Sequence, residues 1–276
     1  MSKIRVGLCQ TAVKAGVEEN LKAAAEAVQR AAGEGAQIVC LPEMFCCPYA
    51  NSSFRRHAQR SGGEIWSALA EMAARNAVWL IGGSMPELDN GRLYNTCFIF
   101  APDGQQAGRY RKVHLFDVDI PGRQYFKESD TLSAGESITV IETPLGKIGA
   151  AICFDLRFGE LFRLMALRGA DMIFVPGAFN MTTGPAHWEL LFRARAVDQQ
   201  CWMLGCAPAQ CAEAGYVSYG HSLAVSPWGE VCGQLDEHPG VLIAEIDTEL
   251  SERVRHRLPV LSARRTDVYT LAEAEK

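Results

Sequence analysis

Three residues in this chain combine a type and a setting suited to acyl-transfer chemistry. Cys153 ends the apolar run Ile148-Gly149-Ala150-Ala151-Ile152 and precedes Phe154-Asp155-Leu156-Arg157, where a helix is expected to begin with Asp155 as its N-cap. A thiol at such a junction lies at the carboxyl end of a strand and beside the positive end of a helix dipole, and both favour an accessible thiolate. Glu43 follows Ile38–Leu41 and Pro42, so it too stands just past a strand end. Among Leu41, Met44 and Phe45 its carboxyl is expected to be partly desolvated, which raises proton affinity and suits general acid–base work. Lys112, in Arg109-Tyr110-Arg111-Lys112-Val113-His114, closes a strand and opens a long loop. An ammonium held there would stabilise an oxyanion. Each has an ordinary alternative: one core cysteine among ten, a helix-start glutamate, a solvated lysine.

Around these positions, strand and helix patterns alternate. Strands are expected at Ile4–Cys9, Ile38–Leu41 and Val78–Gly82, with helices at Val17–Ala32 and Glu64–Arg75. A hairpin pattern follows, Leu93–Phe100 and Gln106–Tyr110 around a Pro102-Asp103-Gly104 turn. Val113 to about Gly135 reads as a long irregular segment, and loops of that length in a compact domain are usually functional. Strands are then expected at Ile138–Glu142, Lys147–Ile152 and Met172–Val175, and helices at Arg157–Gly169 and Ala186–Gln200. The tail adds strands near Cys201–Cys206, Ser222–Ser226, Val231–Gln234 and Val241–Ile246, then a helix from about Thr248 to His256. No Pro-, Gly- or Ser-rich linker divides the chain, so one domain over 1–276 is expected, built of sheets covered by helices.

Composition narrows the function. The 27 basic and 32 acidic side chains leave a net charge of −5, without the cationic surplus that phosphate neutralisation requires, so nucleic acid is not expected as a partner. No stretch approaches the roughly 20 apolar residues of a membrane helix, and the start, Met1-Ser2-Lys3, opens on an apolar stretch too short for a signal peptide. A cytoplasmic protein with reduced thiols is the expectation. No pair of cysteines has C-x-x-C spacing and the six histidines are scattered, so neither metal nor cofactor is expected. Gly220-His221-Ser222-Leu223-Ala224 is close to a serine-nucleophile elbow, but Ala224 replaces its final glycine.

Taken jointly, the chemical segments resemble a known family. Leu41-Pro42-Glu43, Tyr110-Arg111-Lys112-Val113-His114-Leu115 and Ile152-Cys153-Phe154-Asp155-Leu156-Arg157-Phe158 are similar to the three catalytic segments of the nitrilase superfamily, in the same order. The likeness runs over about residues 4–270, through Val6-Gly7-Leu8-Cys9-Gln10 and through Gly220-His221-Ser222 with Pro227-Trp228-Gly229. Within that superfamily the chain looks most like the omega-amidase branch. The segments that carry this are Lys112-Val113-His114-Leu115-Phe116-Asp117, Arg195-Ala196-Val197-Asp198, and the run from Gly177-Ala178-Phe179-Asn180 through Thr182-Thr183-Gly184 to His187-Trp188-Glu189.

The resemblance implies a four-layer αββα sandwich, usually a homodimer, that hydrolyses a small amide with water through a thioester. It gives Cys153 the part of nucleophile, Glu43 of general base and acid, and Lys112 with the Phe154 N–H of oxyanion donors. Glu128 matches a second glutamate beside the lysine. A substrate such as 2-oxoglutaramate or 2-oxosuccinamate carries a far carboxylate, for which Arg157 is the candidate cation, with Thr182, Thr183 or the backbone around Phe179 and Asn180 as donors. Cys46 and Cys47, beside Glu43, either line the pocket or pack. Other branches, which act on N-carbamoyl amino acids, deaminated glutathione or nitriles, share the triad.

Overall fold

Alternation along each central strand sends successive side chains to two different cores, and this dictates the layers. In the computed structural model, which describes residues 3–120, 124–212 and 214–274, the chain opens with β1 (Lys3–Gln10), α1 (Val17–Gly33) and β2 (Ile38–Cys40). Next come α2 (Asn51–His57), α3 (Glu64–Asn76), β3 (Trp79–Ile81), β4 (Met85–Asp89), β5 (Arg92–Phe100) and β6 (Gln106–Arg111). A polar hairpin follows, β7 (Asp117–Ile120) and β8 (Gln124–Lys127), then β9 (Thr139–Thr143), β10 (Gly146–Ala150), α4 (Gly159–Leu167) and β11 (Met172–Pro176). The remainder is α5 (Gly184–Gln199), β12 (Trp202–Cys206), β13 (Leu223–Val225), β14 (Val231–Gln234), β15 (Gly240–Asp247) and α6 (Leu250–Arg257).

One sheet runs β15-β1-β2-β3-β5, with β3 and β4 sharing one edge of β5 and β6 on the other. The second runs β14-β13-β12-β11-β10-β9. In each, the three central strands are parallel: β1, β2 and β3 in one, β10, β11 and β12 in the other. Ile4, Val6, Leu8, Ile38, Cys40 and Ile99 face the second sheet and pack with Phe174, Leu204 and Cys206. Their neighbours Val39, Leu80, Phe98 and Phe100 face the other way, onto α1 and α3. Helices α4 and α5 cover the outer face of the second sheet, so the order is αββα, the expected sandwich. No described helix is long and apolar enough to cross a membrane.

Several elements depart from the sequence expectation. The segment Val113–Gly135 carries the β7–β8 hairpin, whose strands are only four residues each, too short to stand out in the sequence; its residues 121–123 lie outside the described part. Strand β4 was not expected because Pro86, Glu87 and Asp89 are poor strand formers. The strand is stabilised by a fully buried Glu87, which takes Arg109, Arg111 and the Thr96 hydroxyl at 2.7–3.0 Å. Helix α4 starts at Gly159, two residues late, because a 3-10 turn over Cys153–Arg157 precedes it. Asp155 is therefore not the N-cap of that helix.

Candidate active site

Carboxyl ends of parallel strands gather loops at one rim of a sheet, and here the rims of both sheets meet. Glu43 follows β2, Cys153 and Ala178 follow β10 and β11, and Lys112 immediately follows β6. Gly83 fixes the Glu43 loop: at φ +60 it brings the β3–β4 turn so close that a Cβ there would lie 2.2 Å from the Pro42 carbonyl oxygen. Ser84 then accepts the Met44 N–H at 3.0 Å and donates its own N–H to Pro42. Gly177 lies close against the nucleophile loop, where a Cβ would sit 3.3 Å from the Cys153 Cα and 3.0 Å from the Trp188 ring.

At the centre, Lys112 is wholly buried and its Nζ donates to Glu43 Oε1 at 3.0 Å and to Glu128 Oε1 at 2.9 Å. Desolvation works against its charge, but the two carboxylates outweigh that and carry its pKa above the ordinary lysine value, so it is a cation at neutral pH. Glu43 is held on both oxygens. Asn95 Nδ2 donates to Oε1 at 2.9 Å and the Ala178 N–H to Oε2 at 2.8 Å. Glu128 accepts the Tyr49 hydroxyl on Oε1 and the Phe116 N–H on Oε2. Burial pushes the Glu128 carboxyl upward, and Lys112 pulls it back.

Cys153 stands beside this cluster in a left-handed backbone conformation, φ +48, that a non-glycine residue occupies only when its surroundings impose it. Burial, then the charge of Glu43, push its thiol well above the ordinary value, against the pull of Lys112. The accessible thiolate expected from a helix N-terminus is thus not what the site holds. It holds a buried thiol, 5% exposed, beside Glu43 and Lys112. The Phe154 N–H, next in the 3-10 turn, has no acceptor among the described residues.

Asp155 clasps the two sheets at this point. Its buried carboxylate accepts the Ile152 N–H at 3.0 Å and the Tyr110 hydroxyl at 2.7 Å on one oxygen, and the His114 N–H and ring Nδ1 at 2.9 and 2.8 Å on the other. Tyr110 and His114 flank Lys112 by two residues on each side, so Asp155 ties the lysine segment to the nucleophile turn. Asp155→Ala is expected to lower stability by about 2–4 kcal/mol in urea unfolding, because it strands several buried donors at once.

The remaining sequence candidates divide. Arg157 is half-buried with its guanidinium carbon 5.0 Å from the Phe179 ring centre and 5.7 Å from that of Phe154. Among the described residues no carboxylate lies within 4.0 Å of it, Glu160 included. Asn180 Oδ1 accepts the amides of Thr182 and Thr183 at 3.0 and 3.1 Å and the Thr183 hydroxyl at 3.3 Å, and so shapes the turn into α5. Those two amides are already taken; Thr182 itself is exposed. Ser222 is fully buried with its hydroxyl on Gln10 Oε1 at 2.8 Å, which removes the serine-elbow alternative.

A cavity of about 680 Å³ abuts the cluster through Glu43, Tyr49, Phe126, Ala178 and Tyr216. Cys153, Lys112 and Arg157 do not line the cavity themselves. Cys47 lines the cavity, whereas Cys46 is buried with its carbonyl on Asn20. Sequence reasoning missed Tyr49, Tyr216 and Asn95. Asn95 alone left a signal, an amide inside the apolar strand Leu93–Phe100, since a buried amide demands partners. Tyr49 and Tyr216, stacked at 4.6 Å, come from distant loops with no pattern of their own.

A carboxylate, an ammonium and a thiol meet on the rim of an αββα sandwich, and the comparisons make the chain a hydrolase of carbon–nitrogen bonds. The profile of the carbon-nitrogen hydrolase family matches residues 5–256, and the chain belongs to that family. It is similar to omega-amidase NIT2 of Xenopus tropicalis, 47% identical over 99% of each chain, and to omega-amidase NIT2 of Homo sapiens, 43% identical over 98% of each. Among solved structures, Nit3 of Saccharomyces cerevisiae, a member of the nitrilase superfamily, superposes with a TM-score of 0.88 at 38% identity over 96% of this chain and 97% of that one. The C. elegans NitFhit protein gives 0.89 at 34% identity, covering all of this chain and 68% of the other.

Proposed function

We propose that this protein is an omega-amidase that hydrolyses the terminal amide of a small carboxylate-bearing substrate, of the 2-oxoglutaramate or 2-oxosuccinamate kind, to the diacid and ammonia. The observation that carries the reading is the Cys153 thiol set against Glu43 in the same buried cluster as Lys112 and Glu128. Full-length similarity to omega-amidases supports the substrate class.

In the proposed cycle Glu43 takes the thiol proton as Sγ attacks the amide carbon. The oxygen that becomes negative is held by Lys112 and the Phe154 N–H, each such donor lowering the barrier by roughly 2.7–4 kcal/mol. Glu43 then gives its proton to the nitrogen, the carbon–nitrogen bond breaks, and ammonia departs from a thioester on Cys153. Water enters, loses a proton to Glu43 and attacks the same carbon. The acid leaves as the sulfur regains its proton. Glu128, hydrogen-bonded by Tyr49 and Phe116, orients Lys112. Arg157 receives the far carboxylate, because an arginine desolvated between aromatic rings without an acidic partner has its charge free for a ligand.

Ammonia release from a panel of substrates tests this: an omega-amide with a free carboxylate, its neutral methyl ester, an ureido acid and a nitrile. The anionic amide is expected to be preferred. Preference for the ester, or for the ureido acid or nitrile, would move the protein to another branch of the family. In Arg157→Leu the anionic-to-neutral ratio of kcat/KM is expected to fall about 10–100-fold, the worth of one charge-assisted hydrogen-bonded pair. A cytoplasmic homodimer completes the proposal. Leu190 and Val197, exposed on α5, and the exposed Trp228 beside them offer an apolar outer face, and sedimentation at micromolar concentration would measure its self-association.

A further inference from the structure

A guanidinium that must bind a substrate anion needs something to aim it, and that something must not cancel its charge. Helix α5 supplies two contacts to Arg157. Arg195 donates to the backbone carbonyls of Leu156 and Arg157 at 3.0 and 3.1 Å, fixing where the side chain begins. His187, eight residues earlier and so on nearly the same face of the helix, meets the far end: its Nδ1 lies 3.2 Å from Arg157 Nη1. Because a guanidinium only donates, Nδ1 must accept, which puts the imidazole proton on Nε2 and leaves the ring neutral. Phe179 and Phe154 bound the guanidinium on its other sides.

From this arrangement we propose that His187 is a specificity-positioning residue, a neutral acceptor that orients Arg157 toward the anionic end of the substrate while leaving its full charge available. An aspartate or glutamate in its place would orient the guanidinium equally well but would satisfy it. The inference rests on Arg157 being the carboxylate anchor. It explains why a half-buried arginine here is paired with an imidazole although acidic side chains outnumber basic ones in the chain. Asparagine, whose Oδ1 reaches nearly where Nδ1 does, is the one substitution that should preserve the function.

The test compares kcat and KM for an anionic omega-amide and its neutral methyl ester in wild type, His187→Asn, His187→Asp, His187→Leu and Arg157→Leu. His187→Asn is expected to keep the anionic preference within about threefold. His187→Leu, which frees the guanidinium to wander, is expected to lose roughly tenfold, and His187→Asp as much as Arg157→Leu, both through KM for the anionic substrate. A purely structural role would instead depress both substrates in parallel and lower the melting temperature, and that outcome overturns the proposal. So does an unchanged preference in His187→Asp when Arg157→Leu has lost it. If Arg157→Leu itself keeps the preference, the anchor assignment fails and the role of His187 falls with it, while the hydrolytic activity on both substrates still stands.

Discussion

Replacing Cys153 by alanine is expected to reduce ammonia release to the uncatalysed background, a loss on the order of 10⁴–10⁶ in kcat. Of the two cysteines in the Glu43 loop, Cys46 is packed away and Cys47 lies on the cavity wall, and neither stands on the turn that carries Cys153. The substitution removes one small buried atom, so unfolding free energy should change by no more than about 1–2 kcal/mol. Loss of turnover with retained fold therefore isolates chemistry. Mass spectrometry after brief mixing with substrate supplies the complement: an acyl adduct on the Cys153 peptide of the wild type, absent from the variant. Residual turnover in Cys153→Ala above about one per cent would show that another nucleophile, or water directly, carries the reaction.

Lys112→Met is expected to damage both catalysis and folding. Its ammonium is the only cation within hydrogen-bonding distance of either Glu43 or Glu128 among the described residues, and all three side chains are excluded from solvent. Deleting one partner of such a buried group leaves uncompensated carboxylates, typically at a cost of about 3–5 kcal/mol. Activity should fall by about 10²–10³ from the lost oxyanion donor alone, and further as Glu43 reorients. Adding Glu128→Gln to Lys112→Met should recover part of the stability without recovering activity, which separates the two effects. The pH dependence has a definite sign. Because the folded-state pKa of Lys112 lies above its ordinary 10.5, the stability from its charge is fully present below that value and is lost as pH rises through the folded pKa. Unfolding free energy of the wild type should decline above about pH 10.5, and Lys112→Met should remove that part of the slope. An alkaline slope identical in both proteins would deny that Lys112 is held charged by the two glutamates.

How much of this was legible beforehand differs by residue, and the differences have physical reasons. Alternating strand and helix patterns indicated sheets covered by helices, whereas the αββα order came from the family resemblance. Residues such as Ile38, Val39 and Cys40 are apolar on both faces, which only a strand covered on both sides can satisfy, and helices α1 and α3 follow from their apolar faces. Strand β4 was illegible because its stabilisation comes from partners distant in the chain. Glu87 reads as a strand breaker until Arg109 and Arg111 are placed beside it.

For the site, the amino-acid order alone determined which side chains have the right chemistry: Glu43, Lys112 and Cys153, each at the end of an apolar run. It also determined the family they point to, since motif order survives without coordinates. Only the tertiary structure decided the charge of Lys112 and the proton on Cys153. A thiol at a strand–turn junction looks like a thiolate when its surroundings are taken to be a helix end and water. It becomes a neutral thiol once burial and the Glu43 carboxylate are counted, because desolvation and nearby charge depend on distances through space that no local window contains. The same reason applies to Tyr49, Asn95, Asp155 and His187. Each meets a partner tens of residues away, and that pairing exists only in the folded chain.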